Sequence, residues 1–383
     1  MVPQHNDPEL MPWLARMRAE TPVWVNEQGA RLVFRHADVR AVLADPGRFS
    51  SNLGRIMPFL GADKISGNLL WADPPAHRPL RTLVSQAFTP AAVAPLRDRI
   101  TAIAADLLAT IDDERFDLVD ALASPLPIIV IAELLGVSPG DRDFFRDCAD
   151  RSLGLRIEPG TPQDELAAVV TEATKDLDVY LTEQIRHRRA TPAEDLLTVL
   201  ATGEVDGEPL REGQACVFAT LLLTAGYVTT TLLIGNALLC LREAPGAEQE
   251  LRAQRALVPA AIEEVLRMRP PVPQTLRLTN EDVVLADGAV PANSLVALSL
   301  LSANHDEREF DQPERFDPRR DGGRHLAFGH GIHFCLGAPL ARLETEIALN
   351  LLFDTFPQLH VEDGVIGHDT EFYGPKHLPV SAG

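Results

Sequence analysis

With 383 residues, 45% hydrophobic content and a formal net charge of −20, the chain can bury a large core, and its charge argues against nucleic acid or an anionic membrane as partner. Four cysteines (Cys148, Cys216, Cys240, Cys335) are scattered without disulfide-type spacing, so a reducing compartment is expected. Met1 to Asp7 carries no basic region and no apolar run and reads as neither signal peptide nor anchor, while the lack of a dividing linker predicts one domain over 1–383.

Pro12 to Glu20 and Ala37 to Leu43 have the spacing of short amphipathic helices, with Leu32-Val33-Phe34 as a small strand between them. From Phe49 to Leu70 the periodicity fails. Gly54, Pro58, Gly61 and Gly67 interrupt the apolar residues Leu53, Ile56, Met57, Phe59, Leu60 and Ile65, predicting a long apolar loop that is either functional or an ordinary surface connection. In the run Asp73 to Arg81, His77 and Arg81 are four apart and would share a helix face, as two donors for one carboxylate or as a solvated pair. Helices are then predicted over Ala91 to Asp112, Ile128 to Leu135, Arg142 to Leu153, Gln163 to Arg188 and Ala193 to Leu200. Gly136 to Gly140 and Glu158 to Pro162 serve as connectors.

No charged residue occurs from Gly213 to Leu241, a stretch long enough to span a bilayer. Its threonines, Gly226, Gly235 and Asn236 favour a buried central helix of a large helical protein instead. Gly226 in mid-helix costs about 1 kcal/mol against alanine, so it marks either a local opening, aided by Thr229 bonding the carbonyl of Ala225, or a close contact with a neighbouring helix. In Ala260 to Arg267, Glu264 and Arg267 can pair at (i, i+3). Thr275 to Thr279 alternates as a strand, Val283 to Leu285 and Leu295 to Leu300 extend a small sheet, and Asp287-Gly288 has turn chemistry.

Phe328 to Gly337 places Cys335 among three glycines, directly before a helix marked by Leu336, Leu340, Leu343, Ile347 and Leu351 with Pro339 in its first turn. The helix dipole favours a thiolate there, suited to an iron ligand. A buried structural cysteine or a zinc site shared with His333 are the alternatives, though zinc would need two further ligands. Phe372 to Val380 reads as a closing hairpin.

The Phe328–Gly337 run resembles the haem-binding loop of the cytochrome P-450 family, Phe-Gly-x-Gly-x-His/Arg-x-Cys-x-Gly, with every fixed position matched. The resemblance runs from Pro12 to Val380 and implies a mainly α fold with small β sheets, haem b lying between the long central helix and the Cys-loop helix. It implies Cys335 as the iron ligand, His77 and Arg81 on one haem propionate, Arg277 on the other, and His333 as a further donor. Glu264, Arg267 and Arg315 would form a structural triad, and Met57, Leu60, Leu222, Ala225, Val228 and Val272 would face the substrate pocket. Ala225, Gly226 and Thr229 match the oxygen-activation motif Ala-Gly-x-(Asp/Glu)-Thr-Thr. Val228 stands where that motif has its acid, and valine relays no proton.

The implied activity is a soluble, cytoplasmic, monomeric monooxygenase that hydroxylates or epoxidises a small lipophilic molecule of secondary metabolism. Its electrons would come from a separate ferredoxin or flavodoxin with its reductase, and it has no nucleic-acid or membrane partner. Val228 leaves open a peroxide-driven peroxygenase or an atypical haem-thiolate reaction. A non-enzymatic activating partner is disfavoured because Cys335, His77, Arg81 and Arg277 are all present.

Overall fold

A computed structural model describes residues 2–27, 29–58, 61–153, 163–286, 288–320, 324–362 and 372–382. The chain divides into two compact units, one of Met1–Ser50, Val93–Leu126 and Thr229–Gly383, the other of Ser51–Ala92 and Pro127–Val228.

The first unit carries a five-stranded sheet in the order Val23–Val25, Arg31–Val33, Leu295–Ser299, Gln274–Thr279, Phe49–Ser50, in which only Arg31–Val33 and Leu295–Ser299 run parallel. The period-2 alternation decides which side chains face which core. Val33, Val296 and Leu298 join Val39, Val42, Leu43 and Leu300 on one side. Leu32 and Ala297 join Leu10, Leu14 and Phe34 on the other, where Trp13 meets Trp24 and Phe34 edge-on at 5.9 and 5.4 Å. A three-stranded sheet places Pro379–Ala382 between Leu359–Val361 and Arg115–Asp117. The expected closing hairpin over Phe372 to Val380 is therefore wrong: its last residues pair with distant strands, not with each other.

Helix boundaries follow local chemistry. The single helix expected over Ala91 to Asp112 is broken into Pro90–Val93, a 3-10 turn Ala94–Leu96 and Arg97–Leu108, because Pro95 offers no N–H and clashes with a continued helix. The helix expected from Ala193 begins at Leu196, where the Asp195 carboxylate caps the Thr198 N–H at 2.7 Å. Asp195 also receives Arg188 at 2.6 Å, and Arg188 reaches the Gly136 carbonyl at 2.8 Å, tying three segments of the second unit together. The loop expected over Phe49 to Leu70 instead contains the strand Phe49–Ser50, 3-10 turns at Leu53–Arg55 and Leu69–Trp71, and a short helix Ala62–Ser66. The Val283–Leu285 and Gly288–Val290 strands form a hairpin; Asp287 of its expected turn, like the Glu158–Pro162 connector, lies outside the described residues.

The uncharged stretch forms one helix, Glu212–Glu243, of 32 residues, about 48 Å long. It is apolar enough to cross a membrane by length and composition, yet more than half of its most apolar stretch is buried. Phe218, Leu223, Ile234 and Leu239 are fully enclosed, as a core helix requires.

Glu344, on the helix Ala338–Thr355, is 2% exposed, and burial pushes its carboxyl up to about 8. The folded protein therefore holds a proton that the unfolded chain releases, so stability contributed by this group is lost as pH rises from about 5 to about 8. Glu344→Gln is expected to flatten that decline. Melting temperatures of parent and variant measured across this window should diverge toward higher pH, with a gain on the order of 3 kcal/mol near pH 8.

Candidate functional site

Cys335 closes a tight loop. Its N–H donates to the Phe328 carbonyl at 2.8 Å, the Gly329 N–H donates to Leu326 at 2.8 Å, and Gly331–His333 forms a 3-10 turn. Gly331 sits at φ +74°, and a Cβ there would lie 2.6 Å from the Leu43 carbonyl oxygen, so both conformation and space demand glycine. Gly331→Ala is expected to displace the loop and lower cofactor retention about tenfold or more, read as the ratio of bound cofactor to protein after purification.

Gly337 is different. Its φ of −80° and ψ of 3° suit any residue, and a Cβ would meet no heavy atom within 4 Å. The space above it is open beside a thiol. Cys335 is partly exposed, whereas Cys148, Cys216 and Cys240 are buried and burial pushes their thiols up, to about 11 for Cys216 and about 12 for Cys240. None of the four is in a disulfide.

The loop is braced by residues that motif spacing did not single out. Leu326 N–H donates to Asn304 Oδ1 at 2.7 Å, and Arg267 donates to the Asn304 carbonyl at 2.9 Å. Arg342 stacks on Phe328 at 4.6 Å and grips Glu263 at 2.6 and 2.8 Å, while His325 lies 3.2 Å from the same carboxylate. Burial would raise Glu263, but the bonds from Arg342 and His325 outweigh it and hold the carboxyl down at about 2. The signal in the sequence was Arg342, two helical turns past the cysteine.

Behind this brace, Glu264 and Arg267 pair at 2.8 and 2.9 Å with neither side chain exposed. The third guanidinium is that of Arg320, 3.0 Å from Glu264. Arg315, expected in that place, is exposed and contributes only its backbone carbonyl, accepting from Arg267 at 3.4 Å and from Arg320 at 3.3 Å. Arg277 is 7% exposed and donates to the Leu276 carbonyl at 2.7 Å, so it is a buried strand arginine. His333 and Val272 are half-buried.

In the second unit, His77 opens the helix His77–Ser85 and is 4% exposed, with Arg81 half-buried one turn on. Burial and then the Arg81 charge hold His77 below the usual histidine range, against the pull of Asp73. Buried His77 can offer a ring N–H and half-buried Arg81 a charge, a donor pair that suits an anion. On the central helix Leu222 and Leu223 are buried, Ala225 is exposed, and Val228 is half-buried. Gly226 answers the question left by sequence: a Cβ there would press on Ile131 at 3.3 Å, and the helix runs on unbroken. Met57 is half-buried, Thr229 is half-buried, and Leu60 lies outside the described residues.

A model of the family described as Cytochrome P450 matches residues 159–367. The chain is 42% identical over 379 residues to an erythromycin C-12 hydroxylase of Saccharopolyspora erythraea, covering 98% of this chain and 94% of that protein. It is 44% identical over 381 residues to a cyclomarin C epoxidase of Salinispora arenicola, covering 96% and 95%. Among solved structures, a mutant of P450 EryK in complex with erythromycin B superposes with a TM-score of 0.94 at 42% identity, covering 100% of this chain and 98% of that one.

Proposed function

This chain belongs to the cytochrome P450 family, and from that premise we propose that Cys335 is the thiolate ligand of its haem b. The observation that carries this is the Cys335 loop: a partly exposed thiol at the start of a helix, on a turn that requires glycine, with open space over Gly337. The donor set fits the group, since a thiolate suits iron and buried arginine and histidine suit two carboxylates. The protein is a P450 monooxygenase with haem as cofactor, and it acts on a lipophilic substrate. When bound, thiolate-ligated haem supplies the activation of dioxygen and the insertion of one oxygen atom.

The chain's own residues do the rest. His77 and Arg81 would hold one propionate and Arg277 the other, with His333 as a further donor. Glu264, Arg267 and Arg320 brace the loop through Asn304. Ala225 and Gly226 would keep the central helix narrow beside the reacting groups, and Leu222, Val228, Val272 and Met57 are the apolar residues assigned to the substrate. Proton delivery falls to Thr229, helped by ordered water or a substrate hydroxyl, because Val228 holds none. The relatives named for erythromycin and cyclomarin favour a lipophilic secondary metabolite as substrate and hydroxylation or epoxidation as outcome. Electrons come from a separate ferredoxin or flavodoxin with its reductase, and the working form is a cytoplasmic monomer.

Formation of the thiolate-type carbon monoxide complex on reduction tests the ligand assignment. Val228→Glu is expected to raise the fraction of reducing equivalents ending in product severalfold, within the roughly 10²-fold that a positioned acid can contribute. Coupling measured with a ferredoxin system checks it. Unchanged coupling together with efficient turnover on hydrogen peroxide alone would favour the peroxygenase reading.

A further inference from the structure

Two successive acids of the helix Val258–Met268 serve two successive amides of the segment that leads into the Cys335 loop. Glu264 reaches the first through Arg267 and Asn304, whose Oδ1 accepts the Leu326 N–H at 2.7 Å. The next amide, Ala327 N–H, donates to His325 Nδ1 at 3.2 Å. Nε2 of the same ring lies 3.2 Å from Glu263 Oε2. Both contacts exist together only when the proton sits on Nε2 and the lone pair on Nδ1. The His325 side chain is 4% exposed, so water competes little for either nitrogen.

Glu263 has a second arm. Arg342 donates from Nε to Oε1 at 2.6 Å and from Nη2 to Oε2 at 2.8 Å. Its guanidinium lies 4.6 Å from the centre of the Phe328 ring, and the His325 ring lies 6.0 Å from that same centre. Phe328 in turn supplies the carbonyl that accepts the Cys335 N–H at 2.8 Å. One carboxylate therefore holds two side chains that both pack on Phe328, and one of them also holds the backbone at Ala327. The path from Glu263 to the cysteine is continuous: carboxylate, imidazole, Ala327 amide, Phe328 carbonyl.

We propose that Glu263 is a positioning residue for the Cys335 loop, acting through Arg342 and through His325 held as its Nε2–H tautomer. That the loop carries a metal ligand rests on the haem-thiolate reading; the bridge from Glu263 to Ala327 does not. Without the bridge Ala327 and Phe328 move more freely, the Cys335 N–H bond opens more often, and the sulfur is held less firmly.

Two substitutions divide the bridge. Asparagine at 325 places an oxygen near Nδ1, glutamine places an NH2 near Nε2, and neither does both. Hydrogen–deuterium exchange of the peptide covering Phe328–Leu336 in the holoprotein, read by mass spectrometry, is expected to speed about tenfold in Glu263→Gln, His325→Asn and His325→Gln. The reduced carbon monoxide complex should lose its thiolate-type spectrum faster by a similar factor. Glu346→Gln removes an acid from the same helix as Arg342 and breaks the Arg97–Glu346 pair, and it should change neither rate. Parent exchange in Glu263→Gln overturns the positioning role, and parent exchange in either His325 variant overturns the bridge. An equal rise in peptides of the five-stranded sheet marks loss of the fold and overturns both. If the parent lacks the thiolate-type spectrum the haem reading fails, while loop exchange still decides the bridge.

Discussion

Cys335→Ala is expected to abolish the thiolate-type spectrum of the reduced carbon monoxide complex and all measurable monooxygenation. The argument starts from the loop and not from the sulfur alone. Gly329, Gly331 and the Cys335 N–H bond to Phe328 fix the backbone, so alanine enters without disturbing it, and the loss isolates the ligand. Its effect should exceed the roughly 10–100-fold typical of residues that stand behind a metal ligand, such as Arg342 or Asn304 here. Cys335→His provides the complementary result: a haem-loaded, coloured protein whose carbon monoxide complex lacks thiolate character, since imidazole replaces the donor but not its charge. An alanine variant that keeps the parent spectrum would remove Cys335 from the site altogether.

The second large effect concerns folding. Glu264 and Arg267 are both fully buried, and removing one breaks a buried pair, leaving Arg267 unpaired or Glu264 with Arg320 alone, at a cost of about 3–5 kcal/mol. That is a large share of the roughly 5–15 kcal/mol that holds a protein folded. Arg267→Met and Glu264→Gln should therefore lose the most stability. Arg320→Leu should cost less, about 1–3 kcal/mol, because Glu264 keeps both bonds from Arg267 and the Asp317 N–H at 3.1 Å. Arg315→Leu should fall within about 0.5 kcal/mol of the parent, as exposed substitutions do. Urea unfolding of the four variants orders them, and an Arg315 effect larger than that of Arg320 would refute the assignment.

Fold class and family were legible because dense signals repeat along the chain: the glycine–cysteine loop, the uncharged central stretch, and apolar periodicity in the helices. What escaped was set by contacts between residues far apart in sequence. Arg315 and Arg320 are five apart and chemically equal, and only the folded chain shows which reaches Glu264. Gly226 suggested an opening in the helix, while Ile131, 95 positions earlier, supplies a packing reason for it. The apolar pattern runs unbroken through Ala91 to Asp112, whereas Pro95 splits the helix there. In Phe49 to Leu70 the short helix was hidden because the Asp63–Arg211 ion pair and the packing of Ile65 on Gly54 hold it, and neither leaves a periodic trace.

The placement of Pro379–Ala382 bears on how the chain assembles during synthesis. This strand is the middle of three, with flanking partners at Arg115–Asp117 and Leu359–Val361. Until residue 382 has left the ribosome, the 115–117 strand has no neighbour to bond, and its edge waits through the making of some 260 later residues. Completion of this sheet therefore waits on residues 379–382, and the Arg115–Asp117 edge is closed late relative to its own synthesis.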